Sequence, residues 1–205
     1  MRALVTTPAL LVAALMVAGC AAAPPAADDS APRSTPTAAT ASAATAAAGA
    51  FSATDVAWLQ LTAAMTQRLL PVLDLVPTHT ADPAWRRLAA QIRTGRSADL
   101  TRSRQLLADS GAPATNPHEG HDMPGMITAD ELAALRSATG RPFHLLLAAH
   151  LRAHLTQSVR VATAEQQGGV HRGTTAMAAA VVRTGNADLA RLDRLDRPPA
   201  PTRPA

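Results

Sequence analysis

One six-residue pattern occurs twice in the chain and limits what it can fold into. Arg93-Thr94-Gly95 followed by Ala98-Asp99-Leu100 recurs as Arg183-Thr184-Gly185 followed by Ala187-Asp188-Leu189, one residue shorter. Each copy lies in the second of two consecutive segments with helical periodicity. Two such segments joined by a short turn form a hairpin that cannot cover its own apolar stripe. Two hairpins packed together can, so the expected fold is all-α: a four-helix bundle made of two helical hairpins. Chance similarity in an Arg-, Ala- and Asp-rich sequence is the competing explanation.

The periodicity places the helices. Thr54 and Asp55 are candidate N-caps for a first helix, with Val56, Leu59 and Ala63 on one stripe and Trp58, Leu61 and Met65 beside it. It should reach about Val76, with a kink or break at Pro71. Asp82-Pro83 reads as a cap followed by Pro at the first helical position, opening a helix to about Asp109 that Gly111 and Pro113 end. Thr128 and Glu131 have capping-box spacing, so a short extra helix in the central connection should run to Thr139. Pro142 then starts a long helix to about Gln167, and a last one spans Thr174 to Leu195. Composition agrees: the 47% hydrophobic residues are mostly Ala and Leu, with no Tyr, two Phe and two Trp. Such residues favour helices over strands.

The ends are different in kind. Arg2 is followed by an apolar run to Val17 and then Val17-Ala18-Gly19-Cys20. A charged start, a short apolar stretch and small residues before the cut are the parts of an export signal. A Cys at that place resembles the bacterial lipobox, so residues 1–19 read as a lipoprotein signal peptide and Cys20 as the lipidated residue. Two acyl chains would hold the protein durably on a membrane. The alternatives are an ordinary signal peptide with a chance Cys, and a retained membrane helix, which the short run and Pro8 oppose. Residues 20–50, almost all Ala, Pro, Ser, Thr and Asp, read as a disordered tether spanning roughly 30 Å on average, or as a frayed Ala-rich helix after Thr37. The bundle occupies 51–197, and 198–205 is a Pro-rich disordered tail. The expected localisation is exported and lipid-anchored in the cell envelope.

Three clusters could carry chemistry. The segment His118-Glu119-Gly120-His121-Asp122-Met123-Pro124-Gly125-Met126 holds two of seven His and two of the four Met that remain after export. Imidazole and thioether together suit copper, so His118, His121, Met123 and Met126 form an exposed candidate site; a flexible polar linker is the plain alternative. His150 and His154, four residues apart on a helix, can share one metal ion. They continue the stripe Phe143, Leu147, Ser158 and should point inward. With no third ligand evident, the favoured reading is a pair of core histidines bonded to a buried carboxylate, with Asp99 and Asp188 as possible partners. Third, Arg86, Arg87, Arg93, Arg96, Arg102 and Arg104 crowd the second helix around Asp99, which suits either an anionic lipid or wall polymer, or a solvated face with Arg96 paired to Asp99. A net charge of +4 without a basic face carrying stacking aromatics gives no reason to expect nucleic acid. No nucleophile–base pair, phosphate loop or paired-carboxylate signature stands out, and no enzyme activity is expected.

Asp55-Val56-Ala57-Trp58-Leu59-Gln60, Gly111-Ala112-Pro113, the Met/His segment running into Met126-Ile127-Thr128-Ala129-Asp130-Glu131-Leu132, and the half-repeat from Phe143 through His154 together resemble the domain of unknown function 305 (DUF 305) family. The resemblance covers about Thr54 to Arg197. It implies a ferritin-like bundle, frequent export, copper handling in some members and no general enzymatic activity. The family carries a Met pair followed by adjacent His residues in each half. Here the matching stretches read Leu61-Thr62-Ala63-Ala64-Met65-Thr66-Gln67 and His150-Leu151-Arg152-Ala153-His154-Leu155. Later Gln, Glu and Met positions appear as Arg96, Asp99 and Ser103, then Gly185, Asp188 and Leu192. Only the acidic position persists, as Asp in both halves. Two functional readings follow: an envelope lipoprotein that binds copper through its Met/His segment, or a metal-free module that contacts other envelope proteins.

Overall fold

The structure, a computed structural model, describes residues 49–196. The signal peptide, Cys20, nearly all of the tether and the tail lie outside them. Five helices are present: α1 (Ala53–His79), α2 (Pro83–Ser110), α3 (Ala129–Ser137), α4 (Gly140–Gly168) and α5 (Arg172–Asp196). No strand occurs among the described residues. None of these helices is long and apolar enough to cross a membrane.

Local chemistry sets the helix ends. α1 starts one turn earlier than its stripe suggests, because Ser52, not Thr54 or Asp55, is the cap. The Ser52 hydroxyl accepts from the Asp55 amide while the Asp55 carboxylate accepts from the Ser52 amide, a reciprocal capping box. Pro71 does not break α1. Its neighbours Leu69, Val72 and Leu73 are buried in the core, and that packing outweighs one lost backbone bond. Asp82 caps α2 as expected, accepting from the Ala84 and Trp85 amides, and Gly111 closes it in a left-handed conformation with φ 70°. Thr128 and Glu131 form the expected capping box of α3. α3 ends at Ser137 rather than Thr139, and α4 begins at Gly140, two residues before Pro142.

The long helices pack as a closed square. α1 lies against α2 and α4, and α5 against α4 and α2. The start of α1 meets the α4–α5 turn, since Asp55 accepts from the Val170 and His171 amides. The start of α2 meets the end of α5, where Ala84 and Leu195 line one groove. Adjacent helices therefore run antiparallel, and α2 ends at the opposite end of the bundle from where α4 begins. The chain between them must climb the full length. It does so along α1: Asn116 bonds to the Gln60 carbonyl, Arg68 to Asp122 and the Ile127 carbonyl, and His79 to the Arg136 carbonyl.

The core has two apolar ends. Leu69, Leu73, Trp85, Ile92, Phe143, Leu147 and Leu151 fill one, and Trp58, Leu59, Leu106, Met177 and Val181 the other. Polar side chains are also buried in the bundle: Thr62 and Thr66 of α1, Arg96 and Ser103 of α2, His154 and Ser158 of α4, and Asp188 of α5.

Candidate functional site

The Met/His segment is part of the crossover, and its position on α1 divides the expected ligands. Met126 is not exposed. It is buried with Ala64 and Met65, and Met123 packs on the same cluster together with Leu61 and Val161. Hydrophobic transfer of the thioethers and the need to cross the face of α1 draw both Met side chains inward. His118 lines a groove with Trp58, Leu61, Val161 and Glu165, so Leu61 and Val161 border both it and the thioether cluster. His121 stays exposed, and its neighbour Asp122 pairs with Arg68 at 2.5 Å.

Gly125 fixes this arrangement. Its φ of 81° lies in the left-handed region, and a Cβ there would meet the Gln157 Cβ at 2.6 Å and the Ala153 carbonyl oxygen at 3.1 Å. Only glycine satisfies both demands. The close approach lets the His154 ring reach the crossover: its Nδ1 donates to the Gly125 carbonyl at 3.1 Å. Nε2 is then a bare acceptor, buried and without a partner among the described residues. Burial, aided by the nearby Arg96 charge, drops the ring to about 3, so it is neutral at ordinary pH.

The two helical histidines do not act as a pair. His154 is fully buried, whereas His150 is half-buried, with Nδ1 3.8 Å from Glu131 Oε1 at the start of α3. The expected carboxylate partners are otherwise engaged. Asp99 accepts from Arg96 at 2.9 Å, and Asp188 accepts from Gln91 and Arg191, each at 2.9 Å. Burial raises Asp99 despite the opposing pull of Arg96. Arg96 itself is 3% exposed, not solvated, and its Nη2 has no partner among the described residues. Gly185 stands across from it on α5, where an added Cβ would come within 3.7 Å of that nitrogen. A guanidinium held inside the bundle opposes a metal cation there. Among the described residues no three His, Cys, Asp or Glu side chains are placed to hold a metal. The donors that do gather are soft ones: Met65, Met123 and Met126, with His118 beside them.

Met65 was not singled out from sequence because its companions lie far away in the chain. Neither was Glu165, although it continues the stripe Ser158, Ala162 by helical steps. Glu165 is 1% exposed and neither carboxyl oxygen accepts a hydrogen bond from the described residues. Burial first, and the adjacent Asp55 second, push it up to about 8. Burial would raise Asp55 as well, but hydrogen bonds from Ser52, Glu165 and His171 outweigh it and bring Asp55 to about 2. A protonated Glu165 can donate to the Asp55 carboxylate beside it.

The profile of the domain of unknown function DUF305 matches residues 55–196. The chain belongs to the DUF305 family. Solved DUF305 structures carry the same fold. One, from Streptomyces coelicolor, is 18% identical with a TM-score of 0.64, over 69% of this chain and 91% of that one. A DUF305 fragment from Deinococcus radiodurans is 14% identical with a TM-score of 0.64, over 71% and 97%. At these identities the likeness concerns fold alone. No curated protein matches the chain.

Proposed function

We propose that this DUF305 protein is an exported lipoprotein, anchored through Cys20, that binds Cu(I) with the thioethers of Met65, Met123 and Met126. The observation that carries the reading is the gathering of these three side chains in one cluster, from a helix and from the crossover. Thioethers are soft ligands that select Cu(I) over harder ions, and they need no deprotonation to bind. His118 at the cluster's edge supplies an imidazole of the same preference. His154 orders the crossover from behind through the Gly125 carbonyl, as an outer hydrogen bond holds a ligand-bearing loop. His121 and His150, further out, are accessory donors at most. Export is supported by the signal-like residues 1–19 and by the Streptomyces coelicolor relative, provisionally described as secreted.

Cu(I) titration against a competing chelator tests the site. Met65→Leu with Met123→Leu and Met126→Leu keeps the apolar volume, so the fold should persist. Affinity should fall by about a hundredfold or more, the equivalent of about 2.7 kcal/mol. Wild-type affinity in that triple variant would refute the copper reading and leave a metal-free contact module. For the anchor, Cys20→Ala should move the protein from the membrane to the soluble fraction.

A further inference from the structure

The arginine density of α2 is not used by the copper reading. Its position becomes informative where α2 meets α5. A groove of about 440 Å³ lies between the start of α2 and the end of α5, lined by Ala84, Arg87, Leu88, Gln91, Arg191, Arg194 and Leu195. Three guanidiniums face it and, among the described residues, no carboxylate lines it. Arg191 is held by Asp188 at 2.9 Å. Arg87 and Arg194 are exposed and have no ion-pair partner among the described residues. The acids near the end of α5 turn elsewhere: Asp193 and Asp196 both pair with Arg152 on α4. A second hollow of about 300 Å³ shares Gln91 and Arg191 and adds Arg183 together with Asp188, whose carboxylate is engaged by Gln91 and Arg191, so arginines continue down α5. From Arg183 to Arg194 it runs roughly 17 Å at helical rise.

The lining combines two chemistries. Guanidinium forks match phosphate oxygens in pairs and are weakly hydrated, so they give up water readily. Leu88 and Leu195, with Ala84, supply an apolar floor. The volume falls in the range of small-molecule sites. We propose that this groove binds a phosphate-headed amphiphile, with the phosphate between Arg87 and Arg194 and the apolar part on Leu88 and Leu195. Arg191, tied to Asp188, fixes the inner wall. The phosphate could be presented by a membrane lipid or by a soluble ester, and the test separates these sources.

The full chain carrying Cys20→Ala, which has no acyl anchor of its own, is titrated with monomeric short-chain phosphatidylglycerol. It is also tested on phosphatidylcholine vesicles with and without phosphatidylglycerol. Saturable binding of the short-chain lipid is expected, with competition by inorganic phosphate. Arg87→Gln with Arg194→Gln should weaken it by about tenfold or more, since two charge-assisted bonds at exposed side chains together contribute at least that factor. Arg104→Gln with Arg160→Gln removes the same charge from exposed sites elsewhere and should change affinity less than about twofold. Binding to both presentations identifies a membrane headgroup, and binding to the monomer alone identifies a soluble ester; either supports the site. Absence of saturation, equal losses in the two double variants, or wild-type binding by Arg87→Gln/Arg194→Gln would overturn it. Both altered arginines are exposed, so unchanged thermal melting should accompany the loss.

Discussion

Gly125 and Glu165 show how much one residue can decide here. Gly125→Ala combines a left-handed backbone with a Cβ inside the α4 surface. It should destabilise the domain by at least about 1 kcal/mol, read by chemical denaturation, and expose the amides around Met126 to hydrogen exchange. Glu165→Gln tests the carboxyl pair. A neutral amide can donate to Asp55 as a protonated Glu165 does, but it cannot lose its proton. The Glu165 contribution to wild-type stability should fall as pH rises from 4.5 toward about 8, because the unfolded chain releases the Glu165 proton before the folded one does. His154 offsets it up to 6.5, so the net loss appears above that. The variant should gain stability up to 6.5 through His154, stay flat from there to about 8, and be more stable than wild type above that. Parallel profiles for the two proteins would reject a proton held on Glu165. Neither role was legible in sequence. Gly125 reads as one of several loop glycines, and the partner of Glu165 lies on another helix, 110 positions earlier.

Helices were legible where short-range chemistry sets them. The Asp82-Pro83 start, the Gly111 stop and the Thr128–Glu131 box all act within one turn, and all are present. Pro71 misled because tertiary packing holds α1 together across a local defect. The central connection was misjudged for a related reason. Its composition is that of a solvated loop, yet antiparallel packing of both hairpins obliges it to travel the length of α1. Two of its methionines then have an apolar surface beneath them. α3 gives this route its upper fixing point, so Thr128→Ala should lower stability by about 1 kcal/mol in thermal or denaturant melts. Its effect should be largest on exchange of the crossover amides. A uniform effect over all helices would mean that the crossover does not move as a unit.

For the whole molecule, the repeat identified the two hairpins, and the structure pairs α1 with α4 and α2 with α5 between them. It did not reveal the charged interior. Arg96, one of six arginines crowded on the second helix, reads as part of a solvated face, whereas the fold buries it opposite the space left by Gly185. The balance of buried groups predicts a stability maximum in mildly acidic solution. His154 is held neutral, so stability is complete above its unfolded value of 6.5 and is lost as pH falls toward about 3. Asp55 deepens that loss as pH drops from 3.8 to about 2. Glu165 removes stability in the other direction, from 4.5 up to about 8. Denaturant midpoints measured across pH should peak between about 4.5 and 6.5, and a monotonic profile would contradict these assignments.

The node at Asp55 also has a mechanical meaning. The chain enters the bundle at Ser52, and three residues later the Asp55 carboxylate grips the amides of Val170 and His171, between the helices of the second hairpin. Phe51 stacks on the His171 ring at 3.7 Å just before that point. Tension arriving from the N-terminal segment would therefore be divided between both halves of the fold at the first turn, instead of peeling α1 away alone. A domain held from one end by its own chain gains resistance to shear at the residue where the load arrives.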